Sequence, residues 1–238
     1  MSKIIHLTTP LNPEICRSLA AGDEVLISGQ VIAARDAAHK RLLAAIEEGG
    51  EEGRALPFEV RGAVIYYVGP TPSRPVTLPV TLPVGWPSEW PFDCSAKGPD
   101  NCFLPGDGAA APAARANNAG EAERLLPTTS AGPTTAGRMD KYTPTLLALG
   151  LSGMIGKGDR SAAVIKAMQK HGAVYFAATG GAGALLARRI KSYTVLAWPE
   201  LGPEALAVMQ VEDFPAIVAI DSRGSNIYKS GPAAWASP

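Results

Sequence analysis

Nine consecutive residues, Gly132-Pro133-Thr134-Thr135-Ala136-Gly137-Arg138-Met139-Asp140, combine an irregular loop with two hydroxyls and a guanidinium. The combination suits an anion, above all a carboxylate. Gly132, Pro133 and Gly137 prescribe backbone that can leave N–H groups pointing outward, while Arg138 offers a planar fork of donors matching two carboxylate oxygens. Taken alone, the segment reads equally well as a polar turn closing a helix.

Two further segments offer positive charge. Arg35-Asp36-Ala37-Ala38-His39 sets an arginine just before a helix start, where unpaired N–H groups and the helix dipole already favour an anion. Asp36 there reads either as a plain helix cap, pairing with Arg35 or His39, or as the group that orients a functional cation. Gly156-Lys157-Gly158 puts a lysine between glycines at a strand end, a place equally open to a solvated turn lysine. A phosphate loop fails there, because Leu151 stands where its first glycine belongs and Gly158 where its Ser or Thr belongs. Thr179-Gly180-Gly181-Ala182-Gly183 follows a strand and opens a helix, but as a dinucleotide loop it lacks the full glycine order and a well-placed acid; close backbone approach at a site or interface is the better reading. Neither GxSxG nor HExxH occurs, and His6, His39 and His171 are scattered. What remains is a pocket for a dianion without an electrophile of its own.

Elements alternate around these segments. Residues 24–29 and 30–33 are predicted as short strands about a glycine turn, and 37–46 as a helix with Asp36 at its N-cap. Residues 62–68 form a buried-type strand, ended by Gly69-Pro70-Thr71-Pro72. Thr143 and Pro144 fit the N-cap and first position of a helix closed by Gly150. Strand, glycine loop and helix then recur from Met154-Ile155 into a helix from Ser161, and from 173–178 into a helix through Arg189. Strands at 195–198 and 214–221 follow, with a turn at 222–226. The class is mixed α/β. An interval at about 76–129 breaks the rhythm: between Val76 and Pro127 it holds eight of the 21 prolines, too many for a ladder or a helix in its first part, and it contains Trp86, Trp90, Cys94 and Cys102.

The 238 residues are 46% hydrophobic, enough for a substantial core. Twenty-two basic residues balance 22 acidic ones without a basic tract, which argues against nucleic acid and anionic membranes as partners. No signal-peptide pattern opens the chain and no apolar run nears the ~18 residues of a membrane span, so a cytoplasmic protein is expected. Cys16, Cys94 and Cys102 are odd in number and lack CxxC spacing, which argues against a disulfide framework and against a self-contained metal site.

Six blocks, taken in order, resemble one family: His6-Leu7-Thr8-Thr9-Pro10-Leu11, residues 34–41, Tyr66-Tyr67-Val68-Gly69-Pro70-Thr71, residues 132–140, Ile155-Gly156-Lys157-Gly158 and Glu212-Asp213-Phe214-Pro215-Ala216. They are similar to the C-terminal, or beta-subunit, part of class I iron-sulfur-dependent fumarate hydratases. The resemblance implies a swivelling β/β/α domain with a mixed sheet and flanking helices, from which this chain departs at about 76–129, where the family has only a short segment. It implies a hydro-lyase interconverting fumarate and (S)-malate, in which a separate alpha subunit ligates a 4Fe-4S cluster and joins this chain in a hetero-oligomer with dimeric symmetry. Carried over by position, Arg35, Arg138 and Lys157 hold substrate carboxylates, Thr134 lies beside the carbon that loses its proton with Thr135 as the neighbouring candidate, and Asp36, His39 and Gly132 support them. Threonine is a poor base, so a partner group would have to lower its effective pKa or take its proton onward. The beta subunit of L-tartrate dehydratase is a related possibility, although Asp140, Gly180-Gly181, Ile190-Lys191-Ser192 and Glu200-Leu201-Gly202 agree better with fumarase. A noncatalytic dicarboxylate-binding assembly subunit is the reading from a different class.

Overall fold

Alternation in the short third strand sets the architecture: Val64 and Tyr66 enter one apolar cluster, while Ile65 enters another. A strand buried on both faces needs cover on both. In the computed structural model, which describes residues 4–48, 56–72 and 128–235, these residues, Pro72 apart, belong to one unit comprising Met1–Thr71 and Leu126–Pro238. The elements are β1 (Ile5–Thr8), α1 (Pro13–Ser18), β2 (Glu24–Ala33), α2 (Asp36–Glu48), β3 (Val64–Tyr66), β4 (Thr71–Pro72), β5 (Thr128–Ser130), α3 (Thr143–Ala148), β6 (Gly153–Gly156), α4 (Ala162–His171), β7 (Val174–Ala177), α5 (Gly183–Ala187), β8 (Ile190–Ala197), β9 (Leu206–Ile220) and α6 (Ile227–Trp235).

The main sheet runs β1-β2-β3-β6-β7-β9-β8, and a further pairing of β2 with β9 closes β2, β3, β6, β7 and β9 into a ring. Within it β2, β3, β6 and β7 are parallel neighbours, whereas β9 runs antiparallel to both β2 and β7. The result is the mixed sheet with flanking helices that the sequence predicts. One cluster joins the first face of the strands to Cys16 and Leu186 from the elements around α1 and α5; the other joins the opposite face to Ala38, Leu42, Leu146, Leu147, Val164 and Met168 of α2, α3 and α4. Because the parallel strands share a direction, the loops after β2, β3, β6 and β7 leave from one end of the sheet.

Several local expectations change. Residues 24–33 form one strand rather than two, because Gly29, at φ +109°, makes a bulge and not a turn: the chain goes on pairing with β9 on both sides of it. Thr143 begins α3 as its first residue, and its hydroxyl turns inward to donate to the Met139 carbonyl at 2.9 Å, so Tyr142 is the N-cap. Ser161 does cap α4, and Gly150, at φ +100°, does follow α3. The last two strands extend well beyond the predicted 195–198 and 214–221, since β8 is a largely exposed strand whose polar residues hide its pattern. The Pro/Ala-rich interval at about 76–129 lies outside the described residues except for Thr128 and Thr129 in β5, and Trp86, Trp90, Cys94 and Cys102 lie outside them altogether.

Candidate functional site

The Gly132–Asp140 loop is stitched into the ends of two parallel strands. Thr134 donates its N–H to the Tyr67 carbonyl just past β3 at 2.7 Å, its carbonyl accepts from Lys157 just past β6 at 3.1 Å, and Ala136 N–H returns to the Lys157 carbonyl at 2.8 Å. Thr135 and Lys157 thus form a parallel β-bridge, a one-rung extension of the sheet. Glycine makes the approach possible. A Cβ on Gly156 would stand 2.9 Å from the Tyr67 ring and 3.3 Å from the Thr134 carbonyl oxygen, so a side chain there would push the loop away. On the other flank Gly183 serves likewise: a Cβ there would meet Ser130 Oγ at 2.5 Å and Gly132 N at 3.1 Å, while its carbonyl accepts from Ala131 at 3.0 Å. The close approach expected in the Thr179–Gly183 segment therefore falls at its last glycine. Gly180 itself borders Lys157, whose Cδ would lie 3.7 Å from an added Cβ.

This stitching narrows the expectation that loop N–H groups point outward to an anion, because four of them are engaged within the fold. Thr134 and Ala136 spend theirs on strand ends, and Arg138 and Asp140 spend theirs on Thr135 and Gly137 carbonyls in a 3-10 turn, Ala136–Met139. The 3-10 turn carries Arg138 forward, half exposed, while Ala136 and Met139 sink into the core.

Arg138 meets the Arg35 segment through Asp36. The Asp36 carboxylate receives Arg138 Nε at 2.9 Å and Nη2 at 2.9 Å, a two-pronged pair, and lies 3.4 Å from Arg35 Nε. Asp36 is thus the first residue of α2 and a tie between two arginines, not the cap expected of it. That role falls to a residue the sequence pattern does not single out, Glu204, which accepts from Ala37 N–H at 3.0 Å with one oxygen and pairs with Arg35 Nη2 at 3.2 Å with the other. Lys157 is exposed and makes no ion pair among the described residues. Thr135 is exposed and Thr134 half-buried.

His39 lies behind this front. Wholly buried, it faces Tyr67 edge-on at 5.4 Å and Tyr142 at 5.9 Å, and its Nδ1 sits 2.9 Å from the Arg35 carbonyl, which can only accept, so Nδ1 carries the proton. The Nε2 lone pair has no partner, and burial pulls the imidazole down to about 4. A neutral ring at this position supports the Arg35 backbone without adding charge.

Beneath the loop lies a third arginine, which no local sequence pattern singles out. Arg160, 4% exposed, gives Nε to Asp140 at 2.7 Å, Nη2 to Thr143 Oγ1 at 2.8 Å and Nη1 to Tyr67 Oη at 3.2 Å, and stacks over the rings of Tyr67 and Tyr175. Burial opposes its charge, but Tyr67 and Asp140 hold its pKa above the ordinary guanidinium value. Asp140 also accepts from Ser161 N–H at 2.7 Å, so one carboxylate pins the end of the 132–140 loop to the turn after Lys157. Nothing in the spacing of Asp140 and Arg160 foretold this.

The structure thus brings Thr134, Thr135, Arg138 and Lys157 together on one loop-and-strand joint, adds Arg35 through Asp36, and sets His39 behind and Gly132 at the flank. A set of three cations and a hydroxyl pair can bind a small dicarboxylate and orient it. Metal ligation does not fit it. Cys16, the one cysteine among the described residues, is fully buried with its thiol 3.8 Å from the Ser152 carbonyl, and burial pushes it up to about 11, far from a ligating thiolate. No group of three or more His, Cys, Asp or Glu among the described residues is placed to hold a metal ion. No helix among them is long and apolar enough to cross a membrane.

Comparison with known proteins adds a family. The family described as Fumarase C-terminus matches residues 1–85 and 118–231. The chain is 34% identical over 209 residues to Fumarate hydratase 2 of Leishmania major, covering 87% of this chain and 28% of that protein. It is 33% identical over 205 residues to the aerobic class I fumarate hydratase of Escherichia coli K12, covering 85% of this chain and 28% of that protein. A Methanocaldococcus jannaschii protein with the provisional name L(+)-tartrate dehydratase subunit beta is 28% identical over 217 residues, covering 90% of this chain and 85% of that protein. The chain thus spans little more than a quarter of the two fumarate hydratases, but most of the third relative.

Proposed function

We propose, from the premise that this chain belongs to the Fumarase C-terminus family, that it is the substrate-gripping part of a hydro-lyase interconverting fumarate and (S)-malate. The observation that carries the proposal is that the loop bearing Thr134, Thr135 and Arg138 is joined to Lys157 by the Thr135–Lys157 bridge and to Arg35 through Asp36. Two carboxylates need at least two cationic partners, and a hydrogen bond to a charged group contributes about 1.5–3 kcal/mol. Arg138 holds Asp36 with its Nε and Nη2 edge, which leaves Nη1 for a substrate carboxylate. The Asp36–Arg138 pair is half-exposed and contributes only about 0–1 kcal/mol, so a ligand carboxylate competes with it on near-equal terms.

On this reading Arg35, Arg138 and Lys157 fix both ends of the dicarboxylate, Thr134 or its neighbour Thr135 meets the carbon that gains or loses a proton, and Asp36, His39 and Gly132 keep these groups in place. A threonine hydroxyl is a poor base at neutral pH, so a group on the partner chain either lowers its effective pKa or takes the proton onward. The 4Fe-4S cluster belongs to that chain as well, an alpha subunit with which this one forms a cytoplasmic hetero-oligomer. The near-equal extent of the tartrate dehydratase beta-subunit relative supports a separate subunit, and it also makes tartrate the second substrate reading. The family match stops at residue 85 and resumes at 118, which supports one catalytic domain interrupted at about 76–129.

The test is coexpression with a cluster-bearing alpha subunit and anaerobic assay with fumarate, (S)-malate and L-tartrate. Fumarate hydration dependent on both chains is the expected result. Turnover of tartrate alone moves the substrate, and dicarboxylate binding without turnover leaves a noncatalytic assembly subunit.

A further inference from the structure

We infer that Glu204 is a positioning residue of this site: its carboxylate sets the Arg35 guanidinium from the far side while replacing Asp36 as the cap of α2. The inference rests on the reading of Arg35 as a carboxylate-binding group.

The geometry divides the labour between two acids. A residue at the start of a helix ordinarily spends its side chain on the unpaired N–H groups of the first turn. Asp36 does not, because both its oxygens face Arg138 and one also faces Arg35. Glu204, 167 residues away, accepts the Ala37 N–H in its stead, and its second oxygen lies 3.2 Å from Arg35 Nη2. Arg35 is thereby held at Nε by its neighbour and at Nη2 across the fold. The side chain is also confined sterically: a Cβ on Gly69 would lie 3.1 Å from Arg35 Cδ and Nη1 and 3.2 Å from the Pro203 carbonyl oxygen, so Arg35 runs through a slot between Gly69 and the turn that bears Glu204. That slot leaves the guanidinium little choice of direction. Preorganisation of this kind lowers the ordering cost of binding without any contact with the ligand.

The same turn provides its own control. Glu200, four residues earlier and on the other side of the kink at Gly202 in the Pro199–Glu204 segment, pairs with Arg41, whose guanidinium also lies 5.9 Å over the Trp198 ring. Arg41 is one helical turn beyond Ala37, so Glu200 and Glu204 both strap this turn to α2. Only Glu204 reaches Arg35.

Glu204→Gln separates capping from positioning, since an amide oxygen can still accept from Ala37 N–H but the negative charge opposite Arg35 Nη2 is gone. In the enzyme coexpressed with its cluster-bearing partner, Glu204→Gln is expected to raise KM for fumarate about 10-fold with kcat within about threefold, the pattern of lost ground-state and transition-state binding alike. Glu204→Asp should recover part of the loss, and Glu200→Gln should leave both constants at the wild-type values. Hydrogen exchange at the first turn of α2 should match wild type in Glu204→Gln and quicken in Glu204→Ala. Three results overturn the assignment: an unchanged KM in Glu204→Gln, an equal rise in Glu200→Gln, or a fall in KM, which added positive charge without loss of position would give. Wild-type enzyme inactive on fumarate would instead count against the functional reading itself.

Discussion

Two arginine–aspartate pairs flank one loop, and they differ in almost everything but chemistry. Arg160–Asp140 is held underneath, its arginine side chain wholly buried and its donors given to Asp140, Thr143 and Tyr67. Arg138–Asp36 lies in front, its arginine side chain 51% exposed, with the Nη1 edge left over. A buried pair with its donors engaged contributes positioning but has nothing to offer a ligand. An exposed pair of low net stability can exchange one carboxylate for another. Burial separates the two roles.

The contrast breaks first at the buried pair. Arg160→Ala leaves the Asp140 carboxylate without its partner and should destabilise the fold by about 3–5 kcal/mol, a fall in Tm of roughly 10 °C for a chain of this size, measurable by calorimetry. A loss below about 1 kcal/mol would mean that the pair is not structural. Arg138→Ala should show the reverse profile: turnover with fumarate falls by roughly 10²-fold or more, as when a preorganised donor is removed, while stability changes by under about 1 kcal/mol. Wild-type turnover in that variant would remove Arg138 from the mechanism.

His39, between the two pairs, gives the smallest effect and one that depends on pH. Burial lowers its pKa from 6.5 to about 4 in the folded protein, so the unfolded chain binds the proton more readily. The stability it contributes is full above pH 6.5 and is lost as pH falls toward 4, amounting to about 2 kcal/mol between pH 7 and 5. Denaturant titrations of wild type and His39→Gln should therefore diverge in slope below pH 6.5; parallel curves would show that His39 is not buried neutral.

The sequence carried the element order well where a stop signal and a periodic stripe agreed, as at Ser161, Gly150 and the glycine-flanked strand ends. It failed where one residue served a distant partner. Thr143 reads as a cap by type and position, but its hydroxyl is needed in the Arg160 network; Asp36 reads as a cap, but Arg138 claims it. The candidate cations were legible because each sits in a local pattern: Arg35 before a helix start, Arg138 in a Gly/Pro-bearing loop and Lys157 between glycines at a strand end. Glu204, Arg160 and Tyr67 were not, because their partners are brought close only by the sheet.

By itself, then, the sequence determined which residue types could hold a dicarboxylate, the loops that bear them and the family they resemble, since each is written within a few consecutive positions. Only the tertiary structure decided which arginine faces outward, which acid caps α2 and which glycines admit the loop to the strand ends. Those outcomes depend on closure of β2 against β9 and on the burial that follows, and burial belongs to the packed sheet and to no single segment of the chain.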